Sequence, residues 1–239
     1  MAKNVFKIIT LFIIGVVGGI FADQILWPYF IERPLFYQYR LEQNPVYLTE
    51  IKEITVQENT AITEAIEKVE KSVVGIITET ADGKILEGSG LIVTSDGLMV
   101  TLAELVPQGS DFDFFRDNKK ISFQILKRDL KTNLALIKLA DGNLSTVSFA
   151  DLEKLKLGER VFLVGITFDA KNNSQTIVNE GIMKSLTADF IKTNIFENYL
   201  LVGSPLFNVA GETLGINTID SEGKVITIPI SKIKEFIGL

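Results

Sequence analysis

From Ser72 to Ile230 the chain is cut into short runs in which apolar residues recur every second position. Examples are SVVGIIT, GLIVT, LMVTL, ISFQIL, ALIKL, RVFLVGI, TLGINTI and KVITIPI. The runs are rich in β-branched residues and separated by turn pairs such as Asp82-Gly83, Asp96-Gly97 and Ala210-Gly211. A period of two places alternate side chains on opposite faces of a strand, so this pattern commits the region to many short antiparallel strands and excludes a helical bundle. No period of 20–50 residues repeats, which argues against a propeller or solenoid and leaves an all-β barrel or sandwich. Only the two ends of the region read differently. Ile62, Ala65, Ile66 and Val69 recur at helical spacing behind Thr60, and the closing SKIKEFIGL is also helical in pattern.

Ahead of this region lies IITLFIIGVVGGIFA, Ile8 to Ala22, without a charge. Its length falls short of the roughly 20 residues a spanning helix needs, so spanning requires continuation toward Trp27 and Tyr29 as interfacial anchors. A cleaved signal peptide is the rival, but cleavage after Ala22 would leave bulky Ile20 three positions before the cut. The expectation is an uncleaved single-pass anchor over residues 1–30. Lys3 and Lys7 put the N-terminus in the cytoplasm and the rest of the chain outside. Residues 31–58 form a stalk with two prolines and the aromatics Phe36, Tyr37, Tyr39 and Tyr47, which either pack on their own domain or lipid or build a subunit contact. Residues 59–239 carry the β domain.

Composition limits the chemistry. The 239 residues include no His and no Cys, which closes every mechanism that uses imidazole as a base near neutral pH and removes the usual zinc and disulfide sites. No metal or other cofactor is expected. A net charge of −6 without a Lys/Arg cluster argues against a nucleic-acid surface. The hydrophobic fraction of 46%, with 16 Phe and 1 Trp, describes a packed core of aliphatic and phenyl groups.

Gly88-Ser89-Gly90, the Asp96-Gly97 turn and Thr101-Leu102-Ala103-Glu104-Leu105-Val106 follow one another in the first half of the β region. Asp129-Leu130-Lys131-Thr132-Asn133-Leu134-Ala135 comes next. Leu200-Leu201-Val202-Gly203-Ser204-Pro205-Leu206 then precedes Gly215-Ile216-Asn217-Thr218. In this order and spacing the blocks resemble the protease domain of the HtrA (Deg) branch of trypsin-like serine proteases, over roughly residues 58–239. LKLGERVFLVGI, NEGIMKSL and Ile228-Pro229-Ile230 fit its second half. The resemblance implies two six-stranded β-barrels with a cleft between them. It also implies that the histidine, acid and nucleophile positions of that family are held here by Glu104, Asn133 and Val202.

Acyl transfer by that route needs a hydroxyl, an imidazole, a carboxylate that orients it, and converging backbone N–H donors. All three side chains are replaced. Loss of the serine or the histidine alone costs on the order of 10⁶ in kcat in a well-studied protease. The flexible glycine of the family's oxyanion loop is Leu200 here. The expected function is therefore that of an inactive membrane-anchored protease homologue acting as a binding or scaffold module. Gly215, Ile216, Asn217 and Thr218 would offer backbone hydrogen bonds to extended or unfolded polypeptides by strand addition. The alternative is a serine endopeptidase with a relocated site, for which Ser204 is the candidate nucleophile and Glu104 a candidate base. A third expectation, implied by the resemblance, is a homotrimer or a mixed oligomer with an active paralogue through the stalk aromatics. The chain closes at Leu239 directly after its last helix, so the PDZ domain that often follows in that family is not expected.

Overall fold

The computed structural model describes residues 2–32 and 60–239. The aromatics Phe36, Tyr37, Tyr39 and Tyr47 lie outside the described residues. The chain divides into two compact units, Met1–Thr55 and Val56–Leu239. In the first, helix α1 (Ala2–Phe21) runs on through π-helical turns over Ala22–Glu32. Twenty α-helical residues span about 30 Å, the thickness of a bilayer's hydrocarbon core. The stretch Lys3–Trp27 is long and apolar enough to cross a membrane, a property shared by signal sequences.

The second unit opens with helix α2, residues 60–69. Seven strands follow: β1 (Val73–Glu79), β2 (Ile85–Ile92), β3 (Leu98–Leu102), β4 (Asp111–Arg116), β5 (Lys119–Ile121), β6 (Phe123–Asp129) and β7 (Leu134–Leu139). Six more are β8 (Arg160–Phe168), β9 (Ser174–Leu186), β10 (Ile191–Phe196), β11 (Pro205–Asn208), β12 (Thr213–Ile219) and β13 (Lys224–Pro229), and helix α3 (Ile230–Ile237) closes the chain. The protein is all-β with short flanking helices. The second set of strands makes a closed barrel in the order β10-β13-β12-β11-β8-β9.

The first set departs from the expected six-stranded closed barrel. It is a seven-stranded sheet ordered β5-β4-β1-β2-β3-β7-β6, whose terminal strands are not hydrogen-bonded to each other. The extra strand arises because Asp117 and Asn118 take left-handed φ values of 51° and 60°, the geometry of a tight hairpin turn, and fold β5 back on β4. Aromatic packing then brings distant strands of the sheet together: Phe123 of β6 lies 4.4 Å from Phe114 and 6.3 Å from Phe112 of β4, ring centre to ring centre. This half is curled by side chains where the other half is closed by a ladder.

The two halves meet along β1, β2 and β8. Val73 to Ile76 are buried without alternation, because β1 is covered on both faces. Gly75 is required at this seam: a Cβ there would sit 2.6 Å from the Phe168 ring and 2.7 Å from Ile166. The Ile166 N–H donates across it to the Ser89 hydroxyl (2.8 Å). One buried cluster joins Ile76, Leu91 and Val100 of the first half to Val164, Val202, Phe207 and Ile228 of the second, while Leu163, Leu206 and Leu214 help fill the barrel interior.

Candidate functional site

β3 and β7 pair antiparallel with Leu102 opposite Leu134, so the residues just after β3 and just before β7 must be neighbours. These are Ala103-Glu104, in a single 3-10 turn, and Asn133, in the hairpin loop behind β6. Asn133 has φ 54°, a left-handed conformation that asparagine tolerates better than most residues. Its carbonyl accepts from Ala103 N–H (3.1 Å), its Oδ1 accepts from Glu104 N–H (3.1 Å), and its Nδ2 donates to Glu104 Oε1 (2.9 Å). The result is a reciprocal pair fixed at backbone and side chain.

The opposing half supplies the loop between β10 and β11. A 3-10 turn over Tyr199–Leu201 leads into Val202. The Tyr199 hydroxyl donates to Glu104 Oε2 (3.0 Å), linking the two halves. Its pKa is pushed up to about 12, first by burial, then by the Glu104 charge and by the hydrogen bond to it, so the phenol stays protonated.

Val202 is fully buried. Its N–H donates to the Tyr199 carbonyl (3.1 Å) and its carbonyl accepts from Ser89 N–H (2.9 Å). Leu201, Gly203 and Ser204 give their N–H groups to Asn198 (3.0 Å), Asn217 (2.8 Å) and Leu201 (3.2 Å). The amides from Leu201 to Ser204 are thus consumed within the protein and do not converge on a common point, as an oxyanion site requires. Gly203 is where the loop presses on the Gly88-Ser89-Gly90 strand. It has φ 79°, and a Cβ there would lie 2.3 Å from the Ser89 carbonyl oxygen.

Ser204, the candidate alternative nucleophile, is fully buried. Its hydroxyl accepts from Asn217 Nδ2 (3.1 Å), and Asn217 Oδ1 accepts in turn from the Thr227 hydroxyl (2.6 Å). It belongs to a buried polar chain that ties β11, β12 and β13 together. A lysine can replace histidine as the base beside a serine, and Lys192, one such lysine, is exposed on β10.

The proposed peptide edge at Gly215 to Thr218 also meets a different environment. β12 is an interior strand of the closed barrel, with Gly215 opposite both Leu206 and Pro229, and Ile216 opposite both Pro205 and Ile228. Asn217 donates to the Ser204 carbonyl (2.8 Å) and accepts from Gly203. Both sides of these residues are occupied by the barrel's own strands, so only Thr218, partly exposed and paired with Ile226, lies toward a rim. The sequence pattern identified a strand but not that it has neighbours on both sides.

The structure therefore brings Glu104 and Asn133 into contact and seats Val202 in the same seam, and it adds Tyr199, which the sequence reading missed. Tyr199 lies three residues before Val202, but nothing in its local pattern names a partner 95 positions away. Among the described residues no group of three or more Asp and Glu side chains is placed to hold a metal ion.

The sequence profile of the trypsin-like peptidase domain matches residues 88–216, just over half of the chain, from β2 into β12. The chain belongs to the trypsin-like peptidase family. This trypsin-like peptidase homologue is 34% identical over 162 residues to "Serine protease HTRA1" of Xenopus laevis, covering 63% of this chain and 35% of that protein. It is 33% identical over 137 residues to "Probable periplasmic serine endoprotease DegP-like" of Halomonas elongata, covering 55% of this chain and 29% of that one. With "Serine protease HTRA1A" of Danio rerio the identity is 29% over 194 residues, 74% of this chain and 40% of the relative. The alignments thus span only about a third of the length of these curated relatives.

Proposed function

We propose that this trypsin-like peptidase homologue is a membrane-anchored, extracytoplasmic pseudoprotease that serves as a binding or scaffold module. The observation that carries the reading is the Glu104–Asn133–Val202 seam in a chain without histidine: a carboxylate held by amide and phenol donors stands at the histidine position, and the nucleophile position is a buried valine with no hydroxyl of its own. The amide donors of residues 201–204 are bonded internally, which supports the reading. The burial of Ser204 speaks against the relocated-site alternative. Anchoring rests on the apolar Lys3–Trp27 helix, and the outward placement of the β domain on Lys3 and Lys7. Bound partners would be extended or unfolded polypeptides, and self-association or assembly with an active paralogue would use the stalk.

The test is cleavage of an unfolded casein substrate by the full chain in detergent micelles, run beside Ser204→Ala and beside a variant carrying Glu104→His, Asn133→Asp and Val202→Ser. The expected result is no cleavage above the protein-free blank by the native chain or by Ser204→Ala. Native activity that disappears in Ser204→Ala would overturn the reading.

A further inference from the structure

Glu104 carries an unneutralised charge in a rigid mount. Both donors to its carboxylate, Asn133 Nδ2 on Oε1 (2.9 Å) and the Tyr199 hydroxyl on Oε2 (3.0 Å), are neutral, and among the described residues it forms no ion pair with Lys or Arg. A carboxylate offers about four acceptor positions, two on each oxygen. One on each is taken here, so each oxygen keeps an acceptor position for the N–H donors of a guanidinium, whose planar fork suits a carboxylate. Glu104 is partly exposed, and Tyr199, bonded to its carboxylate, is 45% exposed and offers a ring against which a guanidinium plane can lie. The formal charge of −6 favours approach of a cation over an anion.

We infer that the Glu104 carboxylate, held by Asn133 and Tyr199, is a docking point for an arginine side chain of a bound polypeptide. This names the chemistry of the partner and rests on the binding-module reading. A lysine ammonium, a point charge without the fork, binds there less well, and raised salt weakens both.

The probe is Nα-acetyl-arginine amide, titrated at low salt into the full chain in detergent micelles while the Asn133 side-chain amide and Tyr199 ring signals are followed by NMR. Nα-acetyl-citrulline amide, which keeps the shape but not the charge, is the comparison. The expected result is a saturable shift with the arginine compound, at least tenfold weaker with citrulline, and lost in Glu104→Gln. Equal response to the two compounds, no response, or an arginine response that survives Glu104→Gln overturns the inference. A parallel titration with reduced, carboxymethylated lactalbumin separates it from the broader reading. Binding indifferent to Glu104→Gln rejects the arginine site and keeps the binding module, whereas cleavage of that protein rejects the module.

Discussion

At the residue scale, the Tyr199 hydroxyl is the side-chain contact that carries the site across the two halves. Tyr199→Phe removes a single donor and leaves the half-exposed carboxylate free to find water, so the expected loss is about 0.5–1.5 kcal/mol in urea unfolding. The same group sets a pH response. Its folded pKa of about 12 lies above the ordinary phenol value of 10.0, so between these values the folded state holds a proton that the unfolded state has released. The stabilisation is complete below pH 10 and declines as pH rises toward 12. Absorbance titration of tyrosinate should show one phenol ionising about two units late, and Glu104→Gln should bring it earlier by removing the charge; a wild-type titration without a late phenol would contradict this contact. None of it was legible in the sequence. Glu104 and Asn133 could be placed through the motifs that contain them, but a hydrogen bond between residues 104 and 199 depends on how two halves dock, and a single chain's pattern does not record that.

At the scale of elements, the seam between β2 and the loop after β10 tolerates little. Gly203→Ala meets both obstacles at once, a positive φ and a carbonyl oxygen 2.3 Å from the new methyl. Gly158, with φ 86° and open space around its would-be Cβ, isolates the first. Gly158→Ala should cost about 1–2 kcal/mol, the left-handed penalty alone. Gly203→Ala should exceed it by a further ~2 kcal/mol or more, measured by chemical denaturation, because the opposing atom is backbone and cannot swing away. Equal losses would show that the seam is looser than the structure has it. β3, β12 and β13 were readable from alternation nearly to the residue. ISFQIL read as one strand but is two, broken at Ser122, whose carbonyl accepts from Ala140 N–H (2.8 Å). β4 escaped because DFDFFR alternates acids with phenylalanines, and aspartate is a poor strand former until Asp113 pairs with Lys120 across the hairpin (2.6 Å).

At the scale of the whole molecule, the N-terminal helix and the β domain differ in the solvent their surfaces suit. The described side chains of the Lys3–Trp27 stretch are all exposed within the protein, a property a membrane-spanning helix and a signal sequence share. Ile14→Asp, near the middle of that stretch, should raise the cost of insertion by about 2.5–3.5 kcal/mol and shift the chain from the carbonate-resistant membrane fraction toward the soluble one. If the native chain is itself recovered soluble with its first residues removed, the helix is a signal sequence instead. The architecture of the β domain was legible from the order of its motifs, whereas the mode of closure of its first half was not. Hydrogen-bond ladders follow from strand pattern, but Phe123 closing on Phe112 and Phe114 is a packing outcome visible only in three dimensions.

The buried polar chain Thr227–Asn217–Ser204 has a practical corollary. Organophosphorus reagents that profile serine hydrolases in whole lysates react with hydroxyls that are both activated and reachable, and the Ser204 hydroxyl, buried and bonded to Asn217, is not reachable. Ser204 of this protein should therefore escape such a survey even where the protein is abundant and folded.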